Sequence, residues 1–363
     1  MAADRRAERQ GALRALLERE GLGGLLVQHL PNVRYLTGFS GTAALLLVRR
    51  LGDPVLITDF RYATQAPQEV GDSAIVEIDQ VNAWQRLKRL LQADPVEVLG
   101  IEAHVATVQE AERLSASTTG RVVPTQELVE RLRVAKAPEE VAAIREAAAL
   151  AESALAEILP GITPGLQERE VAARLESALR RRGSEWHPFP TIVASGPRSA
   201  LPHAQTSDRT IVAGDWLLLD FGAQVGGYCA DLTRTVVVGA RADERQRLVY
   251  EAVRAAQTRA IKCMRAGQPA RDADALAREV IVQRGFGGAF GHSLGHGLGL
   301  EVHEAPRVSP SFDDPLPPHA VVTVEPGIYL PGWGGVRLED DIYLGPDGPE
   351  CLSGNRTELL ELV

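Results

Sequence analysis

Hydrophobic positions in the first 20 residues recur at helical spacing. Leu13, Leu16 and Leu17 fall on one face with ionic residues elsewhere, which predicts an amphipathic helix over 5–20. Short apolar runs follow at 24–27, 43–48, 55–58, 74–78 and 96–101, and helical patterns at 60–69, 82–93 and 107–117 separate some of them. That alternation predicts a small α/β layer of one domain's size. The stretch 30–41 is rich in turn formers and reads as a loop. A boundary is expected within 121–137. Beyond it the pattern predicts two long helices, 138–159 and 167–182, with Pro138 suited to a helix start and Thr163-Pro164-Gly165 as the break between them. Strands are expected at 189–195, 211–221 and 228–238, helices at 242–265 and 271–284, and a strand-rich block over 296–360. The chain therefore reads as α+β, with an N-terminal α/β domain over 1–125 and a larger domain over 126–363.

Composition narrows the class. Of 363 residues, 45% are hydrophobic and 24% charged, ordinary globular values that exclude disordered and collagen-like chains. Thirty-nine basic residues against 48 acidic ones give a net charge of −9, which argues against nucleic acid or an anionic membrane as partner. No apolar run approaches the ~20 residues of a bilayer span. The charged N-terminus does not read as a secretory signal, and Cys229, Cys263 and Cys351 form no CxxC pair. A cytoplasmic protein is expected.

Two acids lie inside apolar strands, Asp220 in Leu217–Gly222 and Asp231 in Tyr228–Thr233, where an unpaired carboxylate costs several kcal/mol. Gly226-Gly227 between them is a hairpin signal. With those two glycines as the loop, Asp231 faces Gly222 and Asp220 is its same-face diagonal. A register slipped by two places Asp220 opposite Asp231. Either way two carboxylates converge with no basic residue interleaved, so a proton or a cation must relieve the repulsion, and the cation is the better reading. Glu325 and Glu339 repeat the arrangement. If the strands 321–330 and 336–344 pair Leu330 with Val336, then Glu339 faces Gly327 with Glu325 as its diagonal. Pro326, lacking a donor, marks an edge or bulge there. Asp340 and Asp341 are assigned to solvent or to Arg337.

His292, His296 and His303 fall within twelve positions among closely spaced glycines. His292 and His296 have the spacing of the HExxH zinc helix, but Ser293 follows His292 and the glycines argue against a helix. In an extended segment the two share a face. His203 follows a turn-rich stretch after 191–197. Four carboxylates with one histidine make an oxygen-rich site that suits Mn²⁺ ahead of Zn²⁺. Four carboxylates and a bridging hydroxide carry five negative charges, which two divalent ions nearly balance. Two-metal sites of this kind activate water for amide or ester hydrolysis.

The ordered set Asp220, Asp231, His296, Glu325 and Glu339 resembles the metal-ligand set of the pita-bread metallopeptidases, the family of methionine aminopeptidase, aminopeptidase P and prolidase. The resemblance is strong over 138–363. The preceding α/β domain and the block Val336–Asp341 resemble the aminopeptidase P and prolidase branch. The resemblance implies a pita-bread (creatinase/aminopeptidase-like) catalytic domain in which Asp231 and Glu339 bridge two divalent ions, most plausibly Mn, with Co or Zn as alternatives. Asp220 would hold one ion, and His296 with Glu325 the other. It further implies that His203, His292 and His303 contact substrate, that Glu325 shuttles a proton, and that Arg337 holds an acid ligand or the substrate carboxylate. A homodimer is implied too. Phe189 and Trp186 are candidates for a proline-ring pocket.

The activity so implied is hydrolysis of the Xaa-Pro bond at the N-terminus of short peptides with proline at the second position, of the aminopeptidase P type. The alternatives are an Xaa-Pro dipeptidase (prolidase) and, more remotely, a metal-free creatinase-like C–N hydrolase or a non-enzymatic peptide-binding relative. The intact ligand set weighs against both remote readings.

Overall fold

The computed structural model describes residues 4–80, 82–354 and 358–363, and the chain divides into two compact units, 1–133 and 134–363. In the first unit, α1 (Arg6–Arg19) leads into β1 (Gly24–Val27), α2 (Leu30–Thr37), β2 (Leu45–Arg49) and β3 (Val55–Asp59). Then come α3 (Gln65–Val70), β4 (Ile75–Asp79), α4 (Ala83–Ala93), β5 (Val98–Glu102), α5 (Val108–Ser115), β6 (Arg121–Thr125) and α6 (Glu130–Arg133). The six strands form one sheet in the order β4-β3-β2-β1-β5-β6. The β1–β5, β5–β6 and β3–β4 pairs are parallel, while β2 runs antiparallel to both of its neighbours.

Leu13, Leu16 and Leu17 are the buried stripe of α1, as their spacing predicts. Stretch 30–41 departs from expectation: 30–37 is helix. Pro31 occupies the first turn, where its missing N–H costs nothing, and Gly38 takes a left-handed φ of 81° to close the C-terminus. The same Pro and Gly that read as loop punctuation thus mark the two ends of a short helix. Residues 126–133 pack with the first unit: Leu128 and Val129 are buried, and Tyr35 donates to the Leu132 carbonyl.

The second unit opens with the helices α7 (Pro138–Ile158) and α8 (Glu168–Arg181). Pro138 begins α7, and Glu140 reaches back to accept from the Ala137 N–H. The strands β7 (Ile192–Ser195), β8 (Trp216–Phe221), β9 (Gln224–Val225), β10 (Tyr228–Cys229) and β11 (Leu232–Val238) follow. Next come α9 (Glu244–Cys263), capped by Asp243, and α10 (Ala270–Gln283). Short strands complete the chain: β12 (Gly295–Gly297), β13 (Glu304–Val308), β14 (Val321–Val324), β15 (Gly327–Leu330), β16 (Gly334–Arg337), β17 (Asp340–Gly345), β18 (Gly348–Cys351) and β19 (Glu361–Leu362).

Two sheets organise this unit, β19-β11-β8-β7 and β13-β12-β14-β17-β18. Leu217, Leu219 and Phe221 of β8 join Leu232 and Val236 of β11 in a core with α7 and α8. Val322 and Val324 of β14 join a second core with α9 and α10. Each sheet therefore turns one face to its own helix pair. By the period-two rule, Asp220, Asp231, Thr233, Thr323 and Glu325 stand on the opposite faces. The sheets meet where Thr233 bridges Glu339, the Glu339 N–H donating to the Thr233 carbonyl at 3.1 Å.

The first hairpin takes the register set by a Gly226-Gly227 loop: Tyr228 pairs with Val225, and Thr233 with Asp220. The second differs from expectation. Gly327 pairs with Arg337 and Leu330 with Gly334, a shift of two residues. The loop is only Pro331-Gly332-Trp333, because Gly332 at φ 79° and Gly334 at φ 155° supply backbone conformations that other residues rarely adopt. A two-residue shift keeps every side chain on its face, so Glu325 and Glu339 stay on one side and become direct opposites. Asp340 and Asp341, expected at solvent or on Arg337, are both fully buried. Asp340 takes Arg234 at 2.7 Å, Gln257 at 2.8 Å and Ser353 at 2.6 Å.

Gly295 gives a test of the packing that positions the neighbouring histidine. A Cβ there would lie 2.0 Å from the Thr323 carbonyl oxygen, so β12 and β14 would have to separate. Gly295→Ala should destabilise the chain by about 1–3 kcal/mol. A thermal melt showing an unchanged midpoint would refute that close approach.

Candidate metal centre

The acids on the facing sheet surfaces converge. Asp220, Asp231 and Glu339 are each no more than 9% exposed. Ligand atoms of Asp231, His296 and Glu339 all lie within 4.8 Å of one another. His296 Nε2 stands 3.7 Å from Asp231 Oδ2 and 3.5 Å from Glu325 Oε1. Two atoms that share an ion at about 2.1 Å each would lie roughly 3.0–3.4 Å apart, so the set is close to ligating distances.

Each side chain has a local reason for its place. Thr233 Oγ1 donates to Glu339 Oε2 at 2.6 Å, and Thr323 Oγ1 to Glu325 Oε1 at 3.3 Å. The pairing of Gly297 with Val322 sets His296 beside Thr323, whose hydroxyl takes the His296 N–H at 3.1 Å. His296 Nδ1 lies 3.0 Å from the Gly297 carbonyl, which fixes the ring with Nε2 toward the acids. Asp341 Oδ2 accepts from the Asp231 N–H at 3.2 Å.

Arg337 is the cation of this interior. It bonds Asp220 Oδ2, Thr233 Oγ1 at 3.0 Å, the Tyr329 hydroxyl at 3.0 Å and the Pro202 carbonyl at 3.1 Å. Of the two roles expected for it, holding an acid or holding substrate, its contacts meet the first.

Charge does not balance. Asp220, Asp231, Glu325 and Glu339 against one guanidinium leave three negative charges if all ionise. Burial is the main cause that pushes these carboxyls up, Glu325 to about 8, and mutual repulsion adds to it at Asp231 and Glu339. Burial holds His296 down to about 4, so its ring is neutral and able to ligate. Asp220 Oδ1 and Asp231 Oδ1 are buried with no hydrogen-bond partner among the described residues. Orphaned carboxylate oxygens aimed into a site with excess negative charge and a neutral imidazole fit divalent cations.

The other expected residues divide. His292 Nε2 lies 2.9 Å from the Tyr329 hydroxyl and Nδ1 2.8 Å from the Ser293 carbonyl. The His303 ring meets His296 edge-on at 4.4 Å between centroids. His203 and His303 are exposed and interact electrostatically with Asp220. The loop carrying His203 is tethered by fully buried Glu168, which accepts from the N–H groups of Ser195 at 2.8 Å and Ser207 at 3.0 Å. Phe189 packs where a Cβ on Gly222 would meet its ring at 3.1 Å, beside the Asp220 strand. Trp186 stacks on His187 and under Arg180, contacts that do not reach the acids.

Tyr329, Thr233, Thr323 and Asp341 are contributors absent from the sequence reading. The threonines had a signal: each stands two positions from an acid in a strand, hence on its face. Tyr329 and Asp341 had none, since their roles depend on which sheet faces which.

Residues 142–346 match the metallopeptidase family M24, and residues 9–135 the creatinase/prolidase N-terminal domain. The chain belongs to metallopeptidase family M24. An Xaa-Pro dipeptidase of Pyrococcus furiosus is 36% identical over 97% of this chain and 99% of its own length. The structure of an Xaa-Pro dipeptidase from Bacillus anthracis superposes with a TM-score of 0.95 at 38% identity, covering 98% of this chain and 100% of that one. An X-Pro aminopeptidase from Thermotoga maritima superposes at 0.89 with 37% identity, covering 95% and 99%. The M24 chain thus carries the pita-bread catalytic fold behind a smaller α/β domain, as the ligand order implied. The chain is thus a metallopeptidase of that family, and these three relatives are Xaa-Pro peptidases. No helix among the described residues is long and apolar enough to cross a membrane.

The raised carboxyls make metal-free stability depend on pH. A carboxyl held near 8 in the fold and near 4.5 unfolded contributes stability that is full below 4.5 and lost as pH rises toward 8. His292 and His296, both down to about 4, act oppositely, but only below about 6.5. Between pH 6.5 and 8 the carboxyl effect therefore stands alone. The unfolding midpoint of chelator-stripped protein should fall across that window, and saturating Mn²⁺ should flatten the fall. A metal-free midpoint that rises from 6.5 to 8 in calorimetry would contradict the buried-acid geometry.

Proposed function

We propose that this M24 chain is a dinuclear Xaa-Pro dipeptidase. The carrying observation is that ligand atoms of Asp231, His296 and Glu339 lie within 4.8 Å of one another, with Glu325 3.5 Å from His296 and the Asp220 and Asp231 Oδ1 atoms buried without a hydrogen-bond partner among the described residues. The relatives turn the reading from aminopeptidase P toward prolidase: at similar identity the dipeptidase structure superposes at 0.95 and the aminopeptidase at 0.89, and the Pyrococcus furiosus relative is a dipeptidase too. Asp231 and Glu339 would bridge two divalent ions, with Asp220 on one and His296 and Glu325 on the other. With a bridging hydroxide, the four carboxylates and Arg337 sum to four negative charges, which two divalent ions balance. The bound ions supply a water activated near neutral pH and polarise the scissile carbonyl.

The chain's own residues do the rest. His203 and His303 orient the peptide and donate to the developing oxyanion, each good donor being worth a few kcal/mol, while His292, held between the Ser293 carbonyl and the Tyr329 hydroxyl, shapes the peptide's seat. Glu325 would take a proton from the attacking water and deliver it to the departing proline nitrogen. Arg337 holds Asp220 in place. A dipeptide also presents a free carboxylate. Arg307 pairs with His296 across β12–β13, which puts its exposed guanidinium on the histidine side of the sheet to meet that charge. An Xaa-Pro bond needs this dedicated reception because its amide has no N–H to pair with a binding strand.

The deciding assay compares Xaa-Pro dipeptides with Xaa-Pro-Yaa tripeptides on protein stripped and reloaded with Mn²⁺, Co²⁺ or Zn²⁺. Dipeptides should turn over at least tenfold faster in kcat/KM, and equal or better tripeptide cleavage would restore the aminopeptidase P reading. Asp231→Asn and Glu339→Gln should each abolish hydrolysis while circular dichroism stays unchanged. Near-normal turnover in both would sink the ligand assignment. Arg307→Ala should raise KM for the dipeptide with little change in kcat, and an unaltered KM would remove Arg307 from carboxylate binding.

A further inference from the structure

A second group of ligating side chains lies in the first unit, apart from the residues of the proposed peptidase site. We propose that His29, His104 and Glu130 form an accessory binding site for a zinc-class divalent cation. Their ligand atoms all lie within 4.8 Å of one another. His104 Nε2 is 3.0 Å and His29 Nδ1 3.5 Å from Glu130 Oε1. Two ligands of one tetrahedral ion stand roughly 3.4 Å apart, so the three atoms need little movement to share one. The imidazole rings meet edge-on, with centroids 5.3 Å apart.

The place in the sheet points to a ligand independently. β1 and β5 are parallel neighbours at its centre. From β1 the chain leaves through α2 to β2 on one side, and from β5 through α5 to β6 on the other. Parallel neighbours end at the same edge of the sheet, the carboxyl edge at which open α/β sheets bind their ligands. His29 follows β1 by two residues, His104 follows β5 by two, and Glu130 begins α6.

Surrounding contacts hold these groups ready. Glu102, at the end of β5, accepts from the N–H groups of Gln28 at 2.6 Å and His29 at 2.8 Å. Asn32 donates to Glu102 at 2.7 Å and to Glu130 Oε1 at 2.5 Å, and its own oxygen takes Arg133 at 2.7 Å. Glu130 Oε1 is thereby met by the Asn32 amide and by a ring nitrogen of each imidazole. Its second oxygen, Oε2, is buried without a hydrogen-bond partner among the described residues. A hydrogen-bonded trio with no ion accounts for the His104–Glu130 contact. It leaves unexplained why two imidazoles and an amide crowd one oxygen while its mate has none.

Donor chemistry sets the ion. Two nitrogens and one oxygen suit Zn²⁺, and also Cu²⁺ or Ni²⁺, over the harder Mn²⁺ and Mg²⁺. The side chains of His29, His104 and Glu130 are 19%, 37% and 19% exposed, so a fourth position opens to water. An ion here ties the β1–α2 corner, the β5–α5 loop and the start of α6 together.

The test uses the full chain carrying Asp231→Asn and Glu339→Gln, which disables the acid cluster. After equilibrium dialysis against micromolar Zn²⁺, elemental analysis should find one zinc per chain, and zinc should raise the unfolding midpoint. Adding His104→Ala should remove both the zinc and the rise. If that variant loses its circular dichroism signal, Glu130→Gln keeps the Asn32 hydrogen bond while removing the anion, and should remove zinc as well. A folded background variant that binds no zinc would overturn the site, as would one whose zinc survives the His104 and Glu130 changes. Retention of zinc only after restoring Asp231 and Glu339 would assign the metal to the acid cluster alone.

Discussion

Like charge held together in a dry interior is the constraint around which the second unit is arranged. Asp220, Asp231 and Glu339 are buried and Glu325 mostly so, and Arg337 bonds Asp220 among them. In such surroundings each ionised carboxylate is far costlier than at a surface, so the group must carry protons or gather cations. The fold accepts this cost because the flanking cores compensate. Leu217, Leu219 and Phe221 bury with α7 and α8, and Val322 and Val324 with α9 and α10, on the faces turned away from the acids. Function here is an exception to local stability, supported by conventional packing on either side.

Threonine hydroxyls and backbone amides do the aiming. Thr233 sits at a bridge between the two sheets, bonding Glu339 through its side chain and its carbonyl while also receiving Arg337. Arg234, next in sequence, donates to the carbonyls of both Thr233 and Glu339, at 3.0 and 2.6 Å, and to Asp340. A single strand thus sends one residue into the site and the next into its mooring. Placement of this kind leaves little rotamer freedom to the acids, which is what preorganised chemistry requires.

The two ligand clusters differ in their chemistry. The acid cluster offers four carboxylates and one imidazole, a donor set for harder ions and water activation. The cluster of the first unit offers two imidazoles and one carboxylate, a set for softer ions and a structural tie. Parallel strands generate the second by geometry: residues just past β1 and β5 are delivered to the same edge of the sheet. The antiparallel hairpins generate the first, because alternate residues of paired strands share a face.

Local periodicity determined much of this protein. The stripe of α1, the apolar strands, the long helix behind Pro138 and the Gly226-Gly227 turn all follow from spacing and turn chemistry. So does the convergence of Asp220 with Asp231, since both registers open to that turn bring the two acids together, and the structure selects the one in which Thr233 pairs with Asp220. The order Asp, Asp, His, Glu, Glu carried the family. Elements whose outcome rests on distant partners needed the tertiary structure. Residues 30–37 became helix because Pro31 and Gly38 can end a helix as readily as mark a loop. The second hairpin moved by two residues because Gly332 and Gly334 permit a tighter turn than a five-residue loop. Asp340 and Asp341 look like surface acids in any window of sequence. Only the meeting of the two sheets buries them against Arg234 and the Asp231 amide, since burial and charge pairing are properties of neighbours that sequence spacing does not contain.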